Sequence, residues 1–452
     1  MDPEAALELV KNGVTLLLLD VPQYTLVGID TQVFSVGPAF KGIKMIPPGV
    51  HFVFYSSSTR DGKEFSPIIG FFVDAGPSEV IVRKWEQQEE RLVKVLEDEE
   101  ERYVQAVRSL EFDRQLGPYN LSQYGDWKRL SNYITKSTIE RLEPIGGEIT
   151  VTSESGMVKN TPKTSMEEAL DEQLRASKFS TTDDNSQKKG CYYTSIPRVI
   201  KRRGMQGEEL TSLNLDKASI YMYMNFEAYR TLRILFNFIL LLIVGYISIQ
   251  TQLLESLLIK DYGGSEDSLL GELQFAFISF LMGQSLEAFL QWKSLVSLLF
   301  GCTEAPFHTR SQLFIKFIKV VYYQLKYGLQ KDRSGTETGT SALLDDSWLS
   351  ADSFLHHLCK DFFSLVLEAS VVDGDLLSWV SALSLASLSR FILPKKKIEP
   401  QTRKFKELLE NSLGWEFQQS SAVDGIYFEE NDEYAPVVEM LDDSSYNEAA
   451  SV

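Results

Sequence analysis

The pattern of apolar and polar positions changes character three times along the chain. Between residues 11 and 82, short runs rich in β-branched and aromatic residues (Thr25 to Ile29, Gln32 to Val36, Val50 to Ser56, Ile68 to Phe72) alternate with Gly, Pro and Asp. That pattern predicts strands joined by tight turns. A compact antiparallel sheet, folded as a sandwich, is the natural way to bury them. Pro47-Pro48-Gly49 predicts a forced turn, because the prolines fix φ and remove two donors while Gly accepts φ > 0. From Lys84 to Glu111 the period becomes helical. Trp85, Leu92, Leu96, Tyr103, Val107 and Leu110 fall at offsets of seven, four, seven, four and three, one apolar stripe on a charged helix. Gly117-Pro118 stops the run after about three heptads, so packing on the sheet is expected rather than a free coiled coil. A second helix from Gln123 to Arg141 would complete an N-terminal unit, residues 1–145.

Periodicity disappears over residues 146–204, where Ser, Thr, Lys, Asp and Gly dominate. This reads as a flexible linker, with a brief helix over Met166 to Leu174. Helical patterns then run over 226–259, 266–282, 285–300, 307–330, 349–370 and 373–392, punctuated by Gly263-Gly264, Gly283, Gly301 and Gly335. Short connections predict antiparallel neighbours in a bundle or solenoid spanning 205–412, with no fixed-period repeat. The fold class is therefore α+β: a sandwich-like N-terminal domain, an all-α domain and a tail, residues 413–452.

Charge gives the tail its meaning. Lys and Arg total 45 against 63 Asp and Glu, a net charge of −18. Ten of those acids lie between Trp415 and Val452, where there is no Lys or Arg. An acidic surface repels phosphate backbones, so direct DNA binding is not expected and RNA contact would be weak or indirect. Inside the tail sits an apolar island, Tyr434-Ala435-Pro436-Val437-Val438-Glu439-Met440-Leu441. Such a segment suits strand addition to a partner's sheet edge, with Val437, Glu439 and Leu441 on one side and Val438 and Met440 on the other. The surrounding acid would speed encounter with a basic partner. The plainer alternative is a disordered solubilising tail.

Other candidates carry less. Cys191, Cys302 and Cys359 are too far apart for a disulfide framework or zinc cage and fit a reducing compartment. The acidic start Met1-Asp2-Pro3-Glu4 does not suit a signal peptide. Ile234 to Ile249, interrupted by Asn237, falls short of the roughly 18 to 20 residues of a membrane span and is expected to be a buried helix. Gly37 to Gly42 has P-loop spacing without the Lys-Ser/Thr pair and reads as a hairpin turn. His356 and His357, near Cys359, point to different helix faces, which disfavours chelation. His51 reads as a hydrogen-bonded strand residue, and Glu99-Glu100 and Asp345-Asp346 as solvated charge. Arg198, Lys201, Arg202 and Arg203, and Lys395-Lys396-Lys397 after the last long helix, could serve nuclear import or meet an acidic partner. No catalytic motif emerges, and neither enzyme activity nor a cofactor is expected.

Two blocks carry a family likeness. The N-terminal one comprises Leu16 to Pro22, Gly28-Ile29-Asp30 and Val36 to Phe52, including Gly37, Pro38 and Lys44-Met45-Ile46-Pro47-Pro48-Gly49-Val50-His51-Phe52. The helical one comprises Leu270 to Phe277, Glu287-Ala288-Phe289 and Trp292-Lys293. Over residues 1 to about 410 the chain resembles the AAR-two (AAR2) family of splicing factors, named for a-one/alpha-two repression. The resemblance implies a U5 snRNP assembly factor, shared between cytoplasm and nucleus and without membrane contact. It implies binding to the RNase H-like and Jab-one/MPN domains of the Prp-eight scaffold, which keeps the Brr-two helicase off until maturation. It further implies a VHS-like helical domain, a strand-adding tail and release by phosphorylation. Ser165, with Glu168 three residues on, and Thr181, with Asp184, match acid-directed kinase sites. The main rival reading is a helical adaptor in membrane trafficking.

Overall fold

The computed structural model describes residues 3–59, 64–150, 190–197, 249–302, 305–307, 309–333, 353–367 and 385–417. The chain is α+β, a β-rich N-terminal half followed by a helical region. The described residues up to Trp415 form one compact unit.

The first strand explains the first half. In Val14–Leu19 (β1), Leu16 and Leu18 turn into a core shared with Val27, Ile29, Val53, Tyr55 and Trp85. Leu17 and Leu19 face the other way, with Val82 and Leu116 beneath Tyr103, Val107 and Phe112. A strand buried on both faces needs apolar residues at every position, hence four consecutive leucines. The helix Pro3–Asn12 (α1) precedes this strand.

Among the described residues, two five-stranded sheets form the sandwich. One sheet is built from Leu26–Ile29 (β2), Gln32–Ser35 (β3), Gly49–Ser56 (β5), Ile69–Ala75 (β6) and Ile149–Thr150 (β10), in the order β10-β6-β5-β2-β3, antiparallel throughout. The other adds Gly42–Ile46 (β4), Val80–Glu86 (β7), Arg91–Val93 (β8) and Leu116–Pro118 (β9) to β1, in the order β8-β7-β1-β4-β9. This second sheet is mixed rather than antiparallel as expected: β1 runs parallel to β7, and β4 parallel to β9. The segment 36–41 is not a hairpin turn, because β3 and β4 lie in different sheets and the chain crosses between them.

The helix expected from Lys84 is corrected. Trp85 and Leu92 are strand residues paired across β7 and β8, and both are buried. The helix Glu97–Arg108 (α2) begins only after them. Leu96 and Leu110, counted in the stripe, are 79% and 69% exposed at its margins. Gln123 to Arg141 likewise divides into Tyr124–Ser131 (α3) and Lys136–Leu142 (α4). Thr135 is extended, and its hydroxyl accepts from the Thr138 amide, capping a new helix rather than continuing the old one.

The helical region comprises, among the described residues, Ile249–Lys260 (α5), Glu266–Leu281 (α6), Leu286–Phe300 (α7), Ser311–Arg333 (α8), Phe354–Leu367 (α9) and Leu385–Leu413 (α10). Gly263 and Gly264, both at positive φ, follow α5, and Ser265 and Ser285 cap α6 and α7. Lys395-Lys396-Lys397 lies within α10, not after the last helix. The helix continues past Pro394 and Pro400 despite their missing donors. Ile398, Thr402, Phe405 and Leu409 form one buried stripe in its second half, which packs on α8 and α9. Among the described residues, no helix is long and apolar enough to cross a membrane. The expected helix over Met166 to Leu174, the membrane candidate apart from Ile249, Asp345-Asp346, the Arg198 to Arg203 cluster, Ser165, Thr181 and the island Tyr434 to Leu441 lie outside the described residues.

The outer face of the β10-β6-β5-β2-β3 sheet is covered by α6. Phe72 stacks on Phe275 with centroids 4.4 Å apart, and Phe52 lies 4.7 Å from Phe72. Gly271 lets α6 approach the α3–α4 segment as well, since a Cβ there would lie 2.6 Å from the Tyr133 carbonyl oxygen. Gly271→Ala therefore forces backbone apart and is expected to cost about 1–3 kcal/mol. Urea unfolding of the whole chain measures this, and an unchanged midpoint would contradict the packing.

Candidate functional site

The Lys44 to Phe52 block forms a turn braced from within. Met45 has φ 61° and Gly49 φ 131°, left-handed conformations that let β4 end and β5 begin within a few residues. Lys44 Nζ pairs with the Asp113 carboxylate and donates to its carbonyl. Pro47 is buried and Pro48 exposed. Ile46 joins the core between the sheets. Trp127 Nε1 donates to the Val50 carbonyl at 2.8 Å, tying α3 to the start of β5.

Beneath the turn, His51 Nδ1 lies 2.7 Å from Asp30 Oδ2, and Nε2 lies 2.6 Å from the Pro47 carbonyl oxygen. Tyr119 donates to the same Asp30 oxygen at 2.6 Å, and the Phe52 amide donates to Asp30 Oδ1 at 3.0 Å. Both His51 nitrogens face oxygens that can only accept when Asp30 is ionised, so the ring serves best as a doubly protonated imidazolium. Burial favours the neutral ring, but the Asp30 charge and hydrogen bond, the Pro47 carbonyl and the more distant Asp74 outweigh it and raise the His51 pKa. The rings of Tyr119, Tyr124 and Trp127 lie around the histidine. A cleft of about 400 Å³ adjoins this bracing, lined by residues that include Gly49, Val50, Asp74, Trp127, Lys128 and Lys136.

A second polar constellation lies where the β half meets the helices. Glu272 on α6 is fully buried, yet its carboxylate accepts five hydrogen bonds. They come from Arg141 Nη2 (2.7 Å), the Thr194 amide (2.9 Å) and hydroxyl (2.8 Å), the Tyr262 hydroxyl (3.0 Å) and Gln291 Nε2 (2.8 Å). Burial and the Glu272 charge together raise the Tyr262 pKa. Two residues on, Gln274 accepts from the Tyr133 amide and donates to the Arg129 carbonyl and Asn132 Oδ1. Buried polar groups require such partners, and here most come from the other half of the chain.

The sequence candidates are thus dispersed. His51 is hydrogen-bonded, as expected, but Gly37 and Pro38 belong to the crossover, where Gly37 accepts from the Phe40 amide and Phe40 packs on Phe34. His356 and His357 have rings 86° apart; His356 meets Trp415, and His357 Nδ1 lies 3.0 Å from the Ser353 carbonyl oxygen. Burial raises the Cys359 thiol pKa. Among the described residues, no group of three or more His, Cys, Asp or Glu could hold a metal ion. The sequence pattern assigned no bracing role to Asp30, Tyr119, Arg141, Thr194, Glu272 or Gln274. Glu272 and Gln274 did leave a signal, as the polar positions of Leu269-Leu270-Gly271-Glu272-Leu273-Gln274-Phe275-Ala276-Phe277.

These features define an α+β protein whose buried charges brace a sandwich against a helical layer. Residues 12–144 match the family described as AAR2 N-terminal domain, and residues 249–418 match that described as AAR2 C-terminal repeat region. The chain is 29% identical over 426 residues to the Caenorhabditis elegans protein named Protein AAR2 homolog, covering 92% of this chain and 98% of that one. The human Protein AAR2 homolog is 32% identical over 374 residues, 82% of this chain and 87% of the other. The Saccharomyces cerevisiae protein named A1 cistron-splicing factor AAR2 is 22% identical over 321 residues, 69% of this chain and 76% of the other. The chain belongs to the AAR2 family.

The His51 brace sets a pH dependence. A pKa raised in the folded state means that proton binding favours folding. The contribution is complete below the unfolded histidine value of about 6.5 and is lost as pH rises through the folded value. Asp30→Asn is expected to cost about 3–5 kcal/mol at the acidic end of that window and to flatten the dependence. Urea midpoints across the window test both, and parallel profiles for the two proteins would contradict the assignment.

Proposed function

We propose that this chain is a pre-mRNA splicing factor acting without catalysis, as an assembly chaperone of the U5 snRNP. In this reading it occupies a Prp-eight-type scaffold protein through that protein's RNase H-like and Jab-one/MPN domains, and delays helicase and RNA engagement until the particle matures. It works in cytoplasm and nucleus, and RNA reaches it only through the scaffold. The observation that carries the reading is the match of both halves, in the same order, to a family that includes a protein named as a splicing factor.

Two physical features support it. The Asp30–His51 and Glu272 constellations are closed by protein donors and acceptors, so they serve as bracing. The acidic tail, with its strand-prone Tyr434, Pro436, Val437, Val438, Glu439, Met440 and Leu441, has the charge to find a basic surface and the pattern to extend a sheet edge. Phosphates on Ser165 or Thr181 would each add about −1.5 to −2 charges and shift that balance toward release.

Capture from nuclear extract with the whole chain as bait tests the proposal. A Prp-eight-type scaffold and U5 RNA are expected, with RNA lost when the scaffold is removed. Deleting residues 418–452 is expected to weaken capture more at low salt than at high salt, because salt screens steering between exposed charges. Capture with no spliceosomal scaffold would overturn the proposal, and equal capture with and without 418–452 would remove the tail from it.

A further inference from the structure

Residues 190–197 lie in the region that reads as linker, yet they are held as a bound peptide would be. The segment has no helix or strand of its own beyond a bend at its start. Its backbone is pinned at four points: the Cys191 amide donates to Glu287 Oε2 (3.2 Å), and the Tyr192 amide to the Leu142 carbonyl (3.0 Å). The Thr194 amide donates to Glu272 Oε1 (2.9 Å), while Gln291 Nε2 donates to the Thr194 carbonyl (2.9 Å). Gly190 lets Glu287 close in, since a Cβ there would lie 2.5 Å from its carboxylate oxygen. Two side chains enter the groove. The Tyr193 ring meets Phe275 edge-on at 6.2 Å, and the Thr194 hydroxyl sits between Glu272 and Arg141. Carboxylates and an amide from α6 and α7 grip the main chain while the neighbouring Tyr193 and Thr194 side chains are taken in, so main-chain hydrogen bonds hold the segment and side-chain pockets select it.

The groove does not need this occupant to stay intact. Of the five donors on Glu272, two come from Thr194; Arg141, Tyr262 and Gln291 belong to the walls. Withdrawal of residues 190–197 leaves the buried carboxylate paired and hydrogen-bonded, so it does not strand a bare charge. We propose that the surface between α4, α6 and α7 is a peptide-binding groove filled in cis by Gly190 to Pro197. Its occupant is exchangeable, and the groove selects an aromatic residue followed by a hydroxyl residue in an extended chain. The inference concerns a segment of this chain and holds whichever scaffold the protein serves.

The test uses the full chain carrying Tyr193→Ala and Thr194→Val, which removes both anchors, and a fluorescent synthetic peptide of residues 190–197. Saturable binding at least roughly tenfold tighter than to the unaltered chain is expected, because that chain fills its own groove. Adding Glu272→Gln should abolish it. Absence of binding to a folded double variant, equal binding to both chains, or indifference to Glu272→Gln would each overturn the proposal. Should the double variant not fold, alkylation of the unaltered chain decides. Cys191 is expected to react ahead of Cys302 and Cys359 while near-ultraviolet circular dichroism is unchanged. One common rate for all three, tracking global unfolding, would overturn it.

Discussion

A carboxylate without water is the constraint that organises this molecule. Moving a charge such as that of Glu272 into a protein interior costs several kcal/mol unless donors arrive with it. Here they arrive from α4, from residue 194, from the segment between α5 and α6, and from α7. None of these elements alone can bury the charge, so the β half and the helices reach their final positions together. Gln274, Gly271 and Phe275 on the same helix reinforce the dependence: one satisfies polar groups around α3, one admits backbone, one stacks on a sheet. A single stretch of α6 thus converts a sandwich and a helical layer into one body.

The sandwich contains a smaller version of the same device. Asp30 sits at the β2–β3 turn with φ 56° and gathers His51, Tyr119 and the Phe52 amide, linking three separated pieces of chain. The consequence is a rigid Pro47 to Gly49 turn with Pro48 at the surface beside a cleft. Under the proposed role, such bracing presents a partner with a preformed shape, so that less ordering entropy opposes the encounter.

How much of this was legible follows from what each signal reports. Period-two and helical patterns report burial on one face, and they placed most of the β2, β3, β5 and β6 strands and the cores of α6, α7 and α8 well. They failed where one pattern admits two geometries. Trp85 and Leu92 are seven apart, which fits two helical turns, but also fits residues facing each other across a short hairpin, and sheet pairing won. Leu16 to Leu19 gave no alternation because both faces of β1 are covered. The polar constellations were hidden for a different reason. Arg141, Thr194 and Glu272 stand 53 and 78 residues apart along the chain, and no local pattern announces that they meet. The residues that carried the family likeness have physical roles: Asp30 and His51 brace the sandwich from within, and Gly271 and Glu272 join the two halves.

Scanning calorimetry on the intact chain tests the union of the two halves most directly. If α6 couples them as described, residues up to Trp415 melt in one cooperative transition whose calorimetric and van't Hoff enthalpies agree. Two separated transitions, one of them unmoved when Glu272 is replaced by Gln, would show that the sandwich and the helices fold independently and would contradict the account.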